Sequence, residues 1–443
     1  MTPRGKTVIK SPDHRAAFTL IELLIVIAII AVLATVVILA LNPAELLRQA
    51  RDSNRVSDLA TMNQALTLYN GDVVGGNMGS SSVVYVSVPD PTATSSAGTD
   101  CSGIGLASSS LPADWTYHCA GPNWYKKTDG TGWIPVDFAA SSFGSPLGVL
   151  PVDPTNTTSS GLYYAYVVNG DPWELTANME STKYQMGGSH DVESKDGGQY
   201  PDLYEVGTDL SLMPIDYNPS LTGYWKLDEG QGTVAYDSSG HGNNGTWSGT
   251  QAGTSGYYSA GQNQTWAGAF DGSNDYIQIP YSSLYNFGSN SFSFSFWFYI
   301  AGAVAGPNEI LASQAVGNSG CLGWGISTPA NSLDYWTVNG SSGGARYPFL
   351  APTSTWAFGT FVVNTTGNTV TVYIDGTRVG QGSPSAGGNM GTVNPSCSGS
   401  NVPIYIGSRT SIDGFFGGLI GSVRIYSKAL SPAEIQAIYE STK

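Results

Sequence analysis

Phe18-Thr19-Leu20-Ile21-Glu22-Leu23-Leu24 opens an apolar run that continues to Leu41, broken only by Glu22 and a few small polar residues. As a helix rising about 1.5 Å per residue the run spans about 36 Å, enough for a bilayer core. Ahead of it, residues 1–17 carry Arg4, Lys6, Lys10 and Arg15 against one acid, Asp13. A positive flank of this kind stays cytoplasmic. An ordinary secretory signal has a shorter apolar region without an acid. A plain membrane anchor leaves Glu22 unexplained, because a carboxylate in an apolar helix is costly and has a partner where it occurs. A cut before Phe18 supplies one. The new α-amine would lie about one helical turn from Glu22 and would pair with the Glu22 of a neighbouring subunit.

Ala17-Phe18-Thr19-Leu20-Ile21-Glu22-Leu23-Leu24 resembles the class III signal of type IV pilins and type II secretion pseudopilins. The resemblance implies cleavage between Ala17 and Phe18 by a prepilin peptidase, N-methylation of Phe18, and Glu22 as the assembly acid. It implies a single-pass precursor in the inner membrane, other pilin subunits as partners, and an extracellular filament as the destination. One position departs from the family, which usually has Gly where this chain has Ala17.

Pro43 predicts a kink or break just past the apolar run. The helical pattern then resumes. Val56, Leu59, Met62, Leu66 and Tyr69 recur at three- and four-residue spacing, with Arg51, Asp52, Arg55 and Asp58 among the polar positions. This is the pattern of an amphipathic helix laid on a globular head. Residues 71–160, rich in Ser, Thr, Gly and Pro, read as long loops with short strands. Tyr163–Val168 and Trp173–Ala177 flank Asn169-Gly170, a hairpin signal. With Pro151-Val152-Asp153-Pro154 they resemble the small sheet of pseudopilin heads. Asp191, Glu193, Asp196, Asp202, Glu205 and Asp209 lie among glycines. Without a fixed ligand spacing, a solvated acidic loop is the preferred reading there over a calcium loop.

Met213-Pro214-Ile215-Asp216-Tyr217-Asn218-Pro219-Ser220 has two prolines and no periodicity, and reads as a linker. Beyond it Ser291-Phe292-Ser293-Phe294-Ser295-Phe296 alternates with period two. Val370–Ile374, Asp375-Gly376 and Thr377-Arg378-Val379 form a hairpin pattern, and short strands recur to Val423-Arg424-Ile425-Tyr426. Many short strands with Gly and Asn turns predict a β-sandwich. Only Ser431–Tyr439 reads as helix, with Ser431 as N-cap and Pro432 at the first position.

The order Gly223-Tyr224-Trp225-Lys226-Leu227-Asp228, Asp237–Gly245, Phe270-Asp271-Gly272, Tyr373-Ile374-Asp375-Gly376 and Val423–Ser431 resembles the laminin-G-like, concanavalin-A-like jelly roll of bacterial surface proteins. The resemblance implies a glycan or protein ligand and one calcium ion, with Asp237, Asn243 and Asp271 as candidate ligands. Ile420-Gly421-Ser422 stands where the family often has an acid. Against the calcium reading, Asp237 and Asn243 would simply cap turns. Trp247, Trp324 and Trp336, with Tyr257, Tyr258 and Tyr335, are candidate ligand-facing aromatics. The alternative is that they fill the sandwich core.

The expected fold class is thus an α+β pilin, a long N-terminal helix packed on a small antiparallel sheet, followed by an all-β jelly-roll sandwich. The expected divisions are a leader at 1–17, an N-terminal helix at 18–72 with its transmembrane part at 18–41, a head at 73–212, a linker at 213–221 and a jelly roll at 222–443.

Composition agrees with an exported β-rich chain: 443 residues, 12% charged, with 56 Gly, 25 Tyr and 11 Trp. A net charge of −15 repels phosphates, so nucleic acid is not an expected partner. The four cysteines, in an oxidising compartment, pair most simply as Cys101–Cys119 and Cys321–Cys397, although other connectivities are open. No enzyme is expected. HExxH is absent, the GxSxG match at Gly340–Gly344 has no later His, and no paired carboxylates sit on a β-run. Two functions remain: a filament subunit displaying a glycan- or protein-binding jelly roll, or a structural pseudopilin with a non-binding spacer module.

Overall fold

The computed structural model describes residues 20–262, 265–300, 309–313, 321–328, 332–339, 346–382, 396–397 and 400–443. Helix α1 spans Leu20–Leu41 and helix α2 spans Pro43–Asp72. Asn42 separates them in the left-handed region, with φ 40° and ψ 73°, and its side chain accepts from the Glu45 N–H. Pro43 takes the first helical position, where its missing N–H costs nothing. The long N-terminal helix is therefore broken at Asn42.

On α2, Leu59, Met62, Leu66 and Tyr69 are buried against a five-stranded sheet. Its strands are β1 (Val83–Val86), β2 (Thr116–Cys119), β3 (Tyr164–Val168), β4 (Trp173–Ala177) and β5 (Tyr204–Gly207), in the order β2-β1-β3-β4-β5. The sheet was expected to be antiparallel, but β1 and β2 run parallel, Val83 opposite Thr116 through Val86 opposite Cys119. The long connection 87–115 permits this, because a parallel pair needs a crossover that a tight turn cannot make. The Cys101–Cys119 disulfide ties that connection to the end of β2.

Arg55 departs from its sequence reading. It is fully buried, donating to Asp153, Asp52 and Glu180 at 2.6, 2.6 and 2.8 Å. Periodicity marks it as polar and therefore outward, but Asp153 and Glu180 from distant segments, with Asp52 one turn back on α2, close over it.

The second half is a sandwich, with sheets of eight and ten strands among the described residues. Phe292–Ile300 lies central in the first, between Trp356–Asn364 and Gly417–Tyr426. Phe292, Phe294, Phe296 and Phe298 point into the core between the sheets, whereas Trp297 faces the opposite side. The hairpin at Asp375-Gly376 has φ of 50° and 74°, the positive pair that a two-residue primed turn needs. Helix α3 (Pro432–Thr442) opens with the expected cap, Ser431 and Glu434 forming a reciprocal capping box.

The outer face of the first sheet is not solvated. Trp297, Phe358 and Tyr426 share one buried cluster with Tyr163 and Leu203 of the head, Met213, and Ile435 and Ile438 of α3. The 213–221 segment is packed within this seam: Met213, Ile215, Tyr217 and Leu221 are buried, and Asp216 N–H donates to Ser238 O at 2.6 Å. Gly187 allows the closest approach, since a Cβ there would lie 2.6 Å from the Glu434 nitrogen of α3. In the second sheet, register sets Cys321 opposite Cys397, although their side chains lie outside the described residues.

Candidate functional site

Ala17 and Phe18 lie outside the described residues. Glu22 sits in the first turn of α1, and the apolar side chains around it are exposed, Leu20 by 77%. Counted over the side chains described, no helix is long and apolar enough to cross a membrane, while the α1 backbone itself runs on to Leu41.

Of the three calcium candidates, Asn243 adjoins Asp237 but Asp271 stands apart from both. Asp237 accepts from Tyr224 N, Ser239 N, Ser239 Oγ and Asn243 N at 2.6–3.1 Å. Asp271 accepts from Ser273 N, Asn274 N and Thr250 Oγ1 at 2.7–3.0 Å. Both carboxylates are thus occupied by protein donors, from their own turns and from Tyr224 and Thr250. They are also far apart. Trp225, which bridges Asp237, pairs with Val423, and Asp271 pairs with Gly417, a separation of about 20 Å along that strand. These residues do not fit a shared ion, and no group of three His, Cys, Asp or Glu side chains among the described residues is arranged to hold one.

The candidate aromatics are core. Trp247 is 3% exposed, stacked on Tyr257 at 4.8 Å with its Nε1 donating to Tyr258 Oη. Trp324 is fully buried against Phe294, and Tyr257, Tyr258 and Tyr335 are buried as well. The side chain of Trp336 and the Gly340–Gly344 match lie outside the described residues. A sandwich this rich in aromatics uses them to fill the space between sheets, where each contributes the most apolar area.

The acidic stretch 191–209 is not a solvated loop. Glu193 is buried, accepting from Met179 N and Met186 N at 2.8 Å each. Glu174 accepts from Leu212 N and Met213 N, and Glu205 from Tyr200 N. Burial, and then the adjoining Glu174 carboxyl, pushes Glu205 well above the ordinary carboxylate range. The clue in the sequence was the string of N–H-rich Gly and Ser turns around these acids, which can satisfy a carboxylate without solvent.

One cleft, of about 290 Å³, lies where head, sandwich and α3 meet. Lys226 Nζ reaches across it to Gln199 Oε1 of the head at 3.1 Å and stands 4.7 Å from the centre of the Tyr200 ring. Below, Arg424 donates to Tyr224 Oη at 2.6 Å, and Trp297 Nε1 donates to Thr442 Oγ1 at 3.1 Å. Trp266 stands at the rim, 41% exposed, with Trp356 half-buried on the wall. None of these was singled out from the sequence as a site residue, because the cleft exists only after the head has docked.

A family model described as the prokaryotic N-terminal methylation motif matches residues 13–38. A second, described as the concanavalin A-like lectin/glucanases superfamily, matches residues 271–436. The chain carries a type IV pilin signal and a laminin-G-like, concanavalin A-like domain. In this pilin-signal chain the cleft just described therefore belongs partly to the concanavalin A-like domain and partly to the head. No curated protein matches it. Among solved structures, it is similar to domain 4 of AbnA, an extracellular arabinanase from Geobacillus stearothermophilus, in complex with arabinotriose. The identity is 22%, over 50% of this chain and 98% of that one, with a TM-score of 0.36. It is also similar to the binding domain of Paraclostridial Mosquitocidal Protein 1 (16% identity, 50% and 52% covered, TM-score 0.39). The receptor binding domain of botulinum neurotoxin C/D mosaic serotype is a third likeness (19%, 51% and 52%, 0.38). The chain spans about half the length of these two toxin domains.

Proposed function

We propose that this chain is a pilin-like subunit of an extracellular type IV filament that displays a concanavalin A-like adhesion module. A prepilin peptidase cuts between Ala17 and Phe18. Helix α1 holds the precursor in the inner membrane and then packs among other subunits, with Glu22 meeting a neighbour's α-amine. The head and sandwich face outward and bind a glycan or a surface protein. The observation that carries this reading is α1 itself: a pilin-type signal leads into a helix whose Leu, Ile and Val side chains, Leu20–Leu33, are more than 40% exposed. Nothing in the described part of the molecule covers that helix, and so large an apolar surface demands lipid or other helices.

The test is to map the mature N-terminus by mass spectrometry of subunits recovered from cells. An N-methylated Phe18 supports the proposal, and an intact or differently cut leader overturns it. A structural pseudopilin with a spacer module is the second reading, favoured by the burial of Trp247 and Trp324 in the sandwich core. A glycan and cell-surface binding screen separates the two.

A further inference from the structure

The cleft between head and sandwich is chemically unfinished on one side only. Its floor is fixed by Trp297 to Thr442 and by Arg424 to Tyr224. Its Lys226 ammonium is held between Gln199 and the faces of Tyr200 and Tyr224. What remains open is an exposed indole, an exposed carboxylate and an acceptor without a donor. Trp266 is held against the chain at Gly230, where an added Cβ would lie 2.5 Å from its Nε1, so the ring is braced although exposed. Asp228 is exposed at the same rim. Gln262 Oε1 is buried in the cleft and accepts no hydrogen bond among the described residues.

An orphaned acceptor and an unencumbered carboxylate call for O–H or N–H donors. A braced indole calls for a flat apolar face. Aromatic walls with a few convergent polar groups, in a space near the lower end of ligand-site volumes, are the form of a small-ligand pocket. A phosphate-bearing ligand would meet Asp228 and a net charge of −15. A sugar ring joins hydroxyl donors at its edge to a C–H face.

Resting on the adhesive reading above, we propose that this cleft is a saccharide site shared by the two domains. One ring stacks on Trp266. Its hydroxyls donate to Asp228 and Gln262 and accept from Lys226. Because Gln199 positions Lys226, the head is part of the site, and the sandwich is not a self-sufficient lectin.

The test uses the full chain in a zwitterionic detergent without a sugar headgroup, applied to an array of neutral and amino-sugar oligosaccharides. Trp266→Ala and Asp228→Asn are run beside wild type, with melting curves for all three. The proposal expects wild-type binding that falls about fivefold to tenfold in each variant. Asp228→Asn, at an exposed position, should melt with wild type and so decides the matter if Trp266→Ala unfolds. Wild-type binding that both variants retain overturns this site and leaves the adhesive reading standing. Wild-type binding to a cell-surface protein but to no saccharide overturns the site and keeps the protein half of that reading. Wild-type binding to neither overturns both.

Discussion

Arg55 Nε donates to Asp153 Oδ2 at 2.6 Å, with both side chains fully buried. The pair joins α2 to the loop before β3; Asp52 and Glu180 also accept from Arg55, and Arg51 pairs with Glu180 as the second cation of the cluster. Removing Arg55 alone would leave the buried Asp52 and Asp153 carboxylates without a cation, while Glu180 keeps Arg51. Arg55→Ala should therefore lower stability by about 3–5 kcal/mol. Chemical denaturation of the full chain in detergent measures this, and a loss below about 1 kcal/mol, the worth of an exposed pair, would contradict the burial.

Trp297 belongs to the buried cluster that joins the two halves, 5.3 Å from the ring of Phe358 and 5.9 Å from that of Tyr439. Trp297→Ala should cost about 3–5 kcal/mol. It should also open the packed segment 213–221, where Tyr217 is a chymotrypsin site. The wild type should resist cleavage at Tyr217 while the variant is cut there. Rapid cutting of the wild type would show that the segment is a free tether.

Burial pushes Asp196 up to about 7, against the hydrogen bonds it accepts from the Glu205 and Gly198 N–H groups. In the unfolded chain this carboxyl ionises near about pH 4. Folding favours the protonated form, so its contribution is full below about pH 4 and is lost as the pH rises to about 7. The stability of wild type relative to Asp196→Asn should fall across that window by on the order of 1–3 kcal/mol. A difference that is flat, or that grows with pH, would remove Asp196 as the source.

Asp237 satisfies four donors, three in its own turn and the Tyr224 N–H on the neighbouring strand. Asp237→Ala should cost about 2–4 kcal/mol by leaving buried N–H groups unpaired. The loss should be the same with calcium and with chelator. A calcium-dependent melting shift in wild type that vanishes in the variant would restore the ion-site reading.

Glu22→Ala should leave membrane insertion intact, since hydrophobicity rises, while incorporation into filaments drops about tenfold or more as the charge pairing is lost. Comparison of membrane and sheared-filament fractions measures both. Normal filament yield would sink the role assigned to Glu22.

Local chemistry was legible where it acts through neighbours in the chain. The apolar run with Glu22, the break before Pro43, the hairpins at Asn169-Gly170 and Asp375-Gly376, and the cap at Ser431 all follow from a few adjacent residues. So does the alternation of Phe292–Phe298, because the pleat has period two whatever packs on it. The Cys101–Cys119 bond was the simplest pairing and is the one observed.

Tertiary structure decided which of the remaining side chains meet water. Trp247 and Trp324 were offered as ligand-facing and Asp191 and Glu193 as solvated, yet all four are buried. No periodicity distinguishes an indole in a core from one at a rim, nor a carboxylate in solvent from one roofed by N–H groups of another segment. The parallel β1–β2 pair depends on how the connection 87–115 crosses over. The cleft depends on a longer-range event still. Gln199 and Lys226 meet only because the head docks on a sheet face that the sequence of the sandwich alone would leave exposed. The sequence by itself determined the pilin-type signal with its apolar run, the sandwich and the turns, since these are encoded by near neighbours. Burial and site geometry were decided by contacts between residues far apart in the chain.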